Sequence, residues 1–185
     1  LHDDAPRITG PYFLCVGNAY PHKNLDMLIT AFSAWKSQNP SRKDTLVFVG
    51  PDDYFYRLLQ KKYIDLLEAH QITIIHNVTD PMLASLYHHA RCLVFPSISE
   101  GFGLPALEAV AAGIPLFVSD IPVFREIVGD VATLLPPNDP HAWTHAFSQS
   151  EFFRVIPDAK RRTLLGRFSW ARAASSTADF YEHCA

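Results

Sequence analysis

Ser97-Ile98-Ser99-Glu100-Gly101-Phe102-Gly103-Leu104-Pro105-Ala106-Leu107-Glu108 sets two carboxylates around a glycine-spaced loop, directly after the apolar run Cys92-Leu93-Val94-Phe95. The apolar run reads as a buried strand and the residues from Leu104 onward as the helix that follows it. Pro105 fits the first helical turn, where no N–H bond is lost. Glycines let a backbone come close to a ligand, and a helix start offers unpaired N–H groups. Such a loop is suited to gripping a phosphate. Two acidic residues beside it would repel that phosphate unless they serve uncharged parts of the same ligand, its vicinal hydroxyls. A molecule with both features is a sugar nucleotide.

Outward from this stretch, short apolar runs alternate with longer helical patterns. Strands are expected at Tyr12–Val16, Thr45–Gly50, Ile72–Ile75, Cys92–Phe95, Pro115–Ser119 and Val131–Leu135. Helices are expected at Asn24–Ser37, Tyr54–His70, Pro81–His89, Leu104–Ala112 and His141–Gln149, with a separate C-terminal helix capped by Ser169. Leu25, Leu28, Ile29 and Phe32 repeat at helical spacing, and Asn24 suits the N-cap. Continuous apolar strands of four to six residues belong to a parallel sheet covered on both faces. The fold class is therefore α/β, a Rossmann-like doubly wound parallel sheet, whose ligands bind at the carboxyl ends of the strands. Gly17-Asn18 with Lys23 follow the first strand, His76-Asn77-Val78 the third and Glu100–Gly103 the fourth. Separate strand ends thus bring functional residue types to one crevice.

Each candidate has a plainer reading. Lys23 alone is an ordinary surface lysine after a turn, but before a helix it is a compact charge suited to a pyrophosphate. Glu100 and Glu108 taken singly are solvated carboxylates; their placement around Gly101-Phe102-Gly103 favours a ligand. His141 and His145 have ligand spacing, yet no third ligand is near in sequence and the helix is amphipathic through Trp143, Ala146 and Phe147, so a solvated face is favoured over a metal site. His88 and His89 are adjacent and point to different faces. Arg125-Glu126 after Pro122 reads as a helix-start ion pair. The chain carries no P-loop, nucleophile elbow or Cys/His arrangement.

With 185 residues the chain has the size of one domain, and its net charge of −3, with Lys and Arg scattered, argues against nucleic-acid binding. No apolar run approaches the length of a membrane span, and the N-terminus is not a secretory signal. Three cysteines, two of them inside strand patterns, point to a reducing compartment, hence the cytoplasm.

The chain resembles the retaining glycosyltransferases of the GT-B fold, in particular glycosyltransferase family 4. Glu100 through Glu108 matches the family's Glu-x7-Glu signature. Val16-Gly17 with Lys23-Asn24-Leu25, Leu46–Gly50, the stretch from Leu83 to Pro96, Ala112-Gly113-Ile114-Pro115 and Ser119-Asp120-Ile121-Pro122 resemble further motifs of the family. The resemblance covers the C-terminal, donor-binding half of a GT-B enzyme. It implies a linker remnant at 1–11, a nucleotide-sugar-binding domain at 12–167 and, at 168–185, a helix that packs on an N-terminal acceptor domain, leaving Trp170, Phe180 and Tyr181 partly exposed in its absence.

The resemblance also implies roles. Glu100 contacts hydroxyls of the donor sugar; the backbone of Gly101, Phe102, Gly103 and Leu104 lines the sugar and diphosphate; Glu108 accepts hydrogen bonds from the ribose. Lys23, with Gly17 and Asn18 beside it, neutralises the diphosphate without a metal or cofactor, and the main chain at Asn77 and Val78 borders the base. The donor is a nucleotide sugar such as GDP-mannose or UDP-glucose, and the acceptor a glycan or lipid-linked sugar held by the other domain. Surface-glycan or polysaccharide synthesis at the inner face of the plasma membrane follows from the same resemblance, as does an isolated domain that binds donor weakly without transferring it. Two departures stand out. Asn18 replaces a frequent Arg, which leaves Lys23 as the principal cation, and Asn77 replaces a Gly. Competing readings are a nucleotide-sugar epimerase, a glycogen-synthase-like polymerase, a non-catalytic nucleotide-binding module and a response-regulator-like domain; the last needs acidic residues where Gly17-Asn18 stand.

Overall fold

The computed structural model describes Ile8 and Gly10–Cys184. Most of the expected linker at 1–11, namely residues 1–7 and 9, lies outside the described residues, as does residue 185. Strands β1 (Tyr12–Val16), β2 (Thr45–Val49), β3 (Ile72–Ile75), β4 (Cys92–Phe95), β5 (Leu116–Ser119) and β6 (Thr133–Leu135) form one parallel sheet in the order β3-β2-β1-β4-β5-β6. This is the doubly wound order, with its switch point between β1 and β4, where the connections run to opposite faces and leave a crevice at the strand ends.

The period-2 alternation of the strands sorts their side chains onto two cores. Tyr12, Leu14, Val47, Leu93, Phe95, Leu116 and Val118 pack against α4 (Asp80–His89), α5 (Leu104–Ala112), α6 (Pro122–Val128) and α8 (Asp158–Leu165). Phe13, Cys15, Leu46, Phe48, Cys92, Val94 and Phe117 pack against α1 (Leu25–Gln38), α2 (Tyr54–Lys62) and α7 (Pro140–Ser148). The second core is largely aromatic, with Phe13, Phe32, Trp35 and Phe147 centroids 4.7–6.0 Å apart. Such pairs add about 0.5–1.5 kcal/mol each beyond the burial of their area. That fixes α1 and α7 against the sheet and so fixes the start of α1, beside the crevice.

At the opposite, amino-terminal edge of the sheet, the fully buried Asp44 carboxylate accepts from Arg42 (2.8 and 3.0 Å) and Arg91 (2.8 Å), and the Arg91 guanidinium lies 4.3 Å from the Phe153 ring. A buried carboxylate is tolerated only when its lone pairs are met in this way. The cluster ties the entrance of β2 to that of β4, far from the strand ends that carry ligand chemistry.

Several local expectations change. The helix expected over Tyr54–His70 breaks at Tyr63, giving α2 and a short α3 (Ile64–Glu68), with the Tyr63 hydroxyl donating to Asp26 of α1 at 2.7 Å. Asn24 precedes α1 but does not cap it with its side chain; it sits at φ +58°, a left-handed conformation that Asn tolerates. Helix α8, which buries only Leu164, has no counterpart in the sequence reading, and α6, seven residues long, is read there only as a helix start after Pro122. The ion pair read from Arg125-Glu126 forms with a different partner: Arg125 of α6 donates through two nitrogens to Asp120, just before the helix start. The last helix, α9 (Trp170–Cys184), is capped by Ser169, whose Oγ accepts from Arg172 N at 3.1 Å. Trp170, Phe180 and Tyr181 are exposed on it.

Candidate functional site

Gly17 ends β1 at φ +143°, its N–H donating to Val49 O at 2.9 Å. Its own carbonyl accepts from the buried Tyr56 hydroxyl at 2.9 Å. Gly50, the residue after β2, lies so close that a Cβ there would stand 2.1 Å from Gly17 O and 2.3 Å from the Tyr56 ring. The two loops touch through bare backbone, which only glycine allows. After β3, His76 Nδ1 lies 2.9 Å from Gly50 O and its Nε2 lies 3.3 Å from Gln60 Nε2. With the proton on Nδ1, the ring donates to the carbonyl and accepts from the amide, so both contacts are satisfied at once. Asn77 follows at φ +55°. Gly17, Asn18, Gly50, Asn77, Val78 and Leu83 are among the residues that line a cavity of about 490 Å³.

Lys23 closes a short 3₁₀ turn, Pro21–Lys23, and its Nζ donates to Glu100 Oε1 at 2.5 Å across 77 residues of sequence. The two side chains are only 13% and 10% exposed, and the ammonium lies 5.2 Å from the centre of the Phe95 ring. Three further bonds stitch this corner together. Ile98 N donates to His22 O at 2.8 Å, while Asn24 Nδ2 donates to Pro96 O at 3.3 Å and Pro137 O at 2.7 Å. The loops after β1, β4 and β6 are thereby one unit, and the left-handed Asn24 is its hub. Cys15, under this corner, has its thiol pushed up to about 12 by burial, against the lowering effect of the Lys23 charge.

Gly103 caps α5 at φ +89°, where a Cβ would meet the Phe124 ring at 2.5 Å; at Gly101 a Cβ would meet nothing within 4 Å. Gly103 is thus required by the fold, and Gly101 leaves open space beside the loop. Phe102 and Leu104 line a groove of about 450 Å³ together with Phe168, Trp170 and Ala173. Glu108, one turn into α5, is exposed, and its Oε2 accepts from the buried Tyr87 hydroxyl at 2.6 Å. Burial first, and then the neighbouring Glu108 carboxylate, push the Tyr87 phenol well above the ordinary tyrosine range. Glu108 and Tyr87 line a cavity of about 400 Å³ that adjoins the first one through Leu83, which lines both.

The site residues read from the sequence therefore fall into neighbouring places. Lys23 and Glu100 are paired; Gly17, Asn18, Asn77 and Val78 surround one cavity; Glu108 stands in the adjoining one. Tyr56, His76, Asn24 and Tyr87 escaped the sequence reading as supports. A polar aromatic on the apolar face of a helix was the available signal for Tyr56 and Tyr87. His141 and His145 are both exposed on α7, and among the described residues no three His, Cys, Asp or Glu side chains gather at metal-ligand spacing.

The model of one protein family, described as glycosyl transferases group 1, matches residues 4–151. The chain belongs to this family. The match contains every site residue named above and leaves α8 and α9 outside. Among curated relatives, the O-antigen chain mannosyltransferase RfbU of Salmonella typhimurium is 38% identical over 82% of this chain and 40% of its own. The O-antigen chain mannosyltransferase B of Escherichia coli is 31% identical over 92% of this chain and 45% of its own. The D-inositol 3-phosphate glycosyltransferase of Salinispora tropica is 32% identical over 90% and 37%. This chain spans less than half the length of these relatives. Among solved structures, a glycosyltransferase from Rickettsia africae aligns over 96% of this chain and 48% of its own with a TM-score of 0.78 at 20% identity. A sucrose-phosphate synthase from Thermosynechococcus elongatus aligns over 95% and 45% with a TM-score of 0.76 at 24% identity. That likeness is one of fold, the Rossmann-like α/β domain of GT-B glycosyltransferases.

Proposed function

We propose that this chain is the donor-binding, C-terminal domain of a retaining hexosyltransferase of surface-glycan or polysaccharide synthesis. Its donor is a nucleotide sugar such as GDP-mannose or UDP-glucose. The observation that carries the reading is the convergence on the switch-point crevice of one cation, two carboxylates and three loops joined by backbone and Asn24 bonds. Relatives named as O-antigen mannosyltransferases favour transfer over the epimerase and non-catalytic readings, and mannose over other hexoses.

In this reading the base lies at Asn77 and Val78, the ribose hydroxyls donate to Glu108, and the diphosphate enters beside Gly17, Asn18 and the start of α5. Lys23, paired with Glu100, exchanges that carboxylate for the diphosphate when the donor binds. Glu100, released, accepts from hydroxyls of the sugar. Leaving-group departure develops negative charge on the phosphate, and a fixed ammonium with helix-start N–H groups stabilises that charge in a partly enclosed site. The backbone of Gly101, Phe102, Gly103 and Leu104 borders the sugar. No metal or cofactor enters the proposal, because Lys23 supplies the positive charge. The acceptor, a glycan or lipid-linked sugar, comes from an N-terminal domain, with the whole protein cytoplasmic and peripheral to the inner face of the plasma membrane. Among the described residues no helix is long and apolar enough to cross a membrane.

The test is calorimetric titration of the full-length protein with GDP, UDP, ADP and their sugar conjugates, alongside Glu108→Ala. Saturable binding of one nucleotide, weakened in the variant, and sugar transfer from its conjugate are the expected results. Failure of all three nucleotides to bind overturns the proposal.

A further inference from the structure

We infer that Tyr87 is a positioning residue for ribose recognition, holding the Glu108 carboxylate in the orientation that accepts a ribose hydroxyl. The inference rests on the reading of Glu108 given above and adds a residue to it. Glu108 is exposed on α5, and an exposed glutamate is spread over many rotamers, all but one of which a ligand must suppress on binding. Tyr87 is different in kind: it is 3% exposed, locked on α4 by the core, and its ring has no freedom to follow the carboxylate. The 2.6 Å bond from its hydroxyl to Oε2 ties the mobile group to the fixed one.

Two features separate this from an ordinary satisfied phenol. Tyr12 and Tyr56, equally buried, donate to backbone carbonyls of Leu86 and Gly17, as buried hydroxyls commonly do. Tyr87 instead reaches outward to a charged group that water could have satisfied without it. That carboxylate and the phenol line the same cavity, which adjoins the crevice through Leu83. With Oε2 occupied, Oε1 is the oxygen left to accept from a ligand. The donor is a neutral phenol, so the bond brings no counter-charge that would compete with a ligand for the carboxylate. Burial and the Glu108 charge keep the phenol protonated throughout the range in which the protein works.

The experiment uses Tyr87→Phe, which removes one oxygen and keeps the ring. The affinity of the full-length protein for whichever of GDP, UDP or ADP it binds is compared with that for the 2′-deoxy and 3′-deoxy forms of the same nucleotide. In the unaltered protein one deoxy form binds more weakly. In Tyr87→Phe the parent nucleotide is expected to lose about tenfold in affinity, while the matching deoxy form loses little, so the preference for the hydroxyl shrinks. Adding Tyr87→Phe to Glu108→Ala is expected to cost nothing further. Equal losses for the parent and deoxy forms, or an unchanged preference, overturn the inference, since a merely structural tyrosine would weaken all nucleotides alike. An unaltered protein that binds the nucleotide with no preference for either hydroxyl overturns the assignment of Glu108 and the inference with it. One that binds no nucleotide overturns the proposed function itself.

Discussion

Two glycines of one loop, Gly101 and Gly103, should answer the same substitution in opposite ways. At Gly103 an alanine must hold φ +89°, which for an L-residue costs about 1–2 kcal/mol. Its Cβ would also stand 2.5 Å from Phe124, whose ring is 0% exposed and packed 5.2 Å from Phe95, so the ring has nowhere to move. Overpacking of that kind costs about a further 1–3 kcal/mol. Gly103→Ala is therefore expected to lose about 2–5 kcal/mol, or roughly 4–20 °C in Tm for a chain of this size. At Gly101 a Cβ meets nothing within 4 Å and no left-handed conformation is needed. Alanine there restricts the unfolded chain and leaves stability unchanged or raised by up to about 1 kcal/mol. Urea unfolding followed by the emission of the buried Trp35 and Trp143 reads both variants in one assay. Equal losses at the two positions, or a larger one at Gly101, would refute the assignment of the turn and clash to Gly103.

Other expectations follow from the same geometry. Asn24→Gly keeps φ +58° and loses the bonds to Pro96 O and Pro137 O, about 1–3 kcal/mol in all; Asn24→Ala adds the left-handed cost, about 1–2 kcal/mol more, and unfolding curves that rank Ala no worse than Gly contradict this. Lys23→Ala leaves the Glu100 carboxylate, 10% exposed, without its partner at a cost of about 3 kcal/mol, and the double variant Lys23→Ala/Glu100→Ala should recover part of it; a double that is no more stable than the single speaks against a desolvated pair. Burial raises the phenols of Tyr12, to about 12, and of Tyr56 and Tyr87 further. Their folded pKa lies above the unfolded value, so this stabilisation is complete below about pH 10 and is lost as pH climbs toward the folded values, at about 4 kcal/mol per pH unit for the three together. Ultraviolet titration should then show them ionising only with unfolding near pH 11, and smooth ionisation of all seven tyrosines in a folded protein would exclude it. A thiol reagent at neutral pH should find Cys184 promptly and Cys15 and Cys92 only in urea, because burial raises both inner thiols; two fast thiols in the native protein would contradict their burial.

The sheet was legible because a parallel strand covered on both faces has no polar side, and runs such as Phe13-Leu14-Cys15 admit little else. Helix α5 was legible at both ends, from Gly103 and Pro105 at its start and Gly113, at φ +78°, at its close. What escaped depends on contacts between distant residues. The break at Tyr63 is tied to Asp26, 37 positions earlier, and helix propensity carries no trace of it. Helix α8 buries one leucine and shows no period to read. The same division holds at the crevice. Lys23 and Glu100 were each conspicuous as residue types after a strand, but their pairing across 77 residues is set by the order of β1 and β4. Asn24 looked like a cap, because its left-handed backbone and its reach to two carbonyls arise only once the loops after β4 and β6 are in place.

The central place of β1 has a consequence in time. It is the first strand of the sheet to leave the ribosome, yet Phe13 meets its neighbour Cys92 only after about 80 further residues have been made. At the usual 5–20 residues per second this is an interval of roughly 4–16 s. The other edge is closed sooner, when Thr45 arrives opposite Tyr12. For those seconds a nascent hairpin-less pair, β1 with β2, carries an open apolar edge that another chain can extend. The seam between β1 and β4, which joins the two halves of the sheet, thus closes only after β3 has been made, and until then the inner edge of β1 is the growing polypeptide's point of exposure to misassembly.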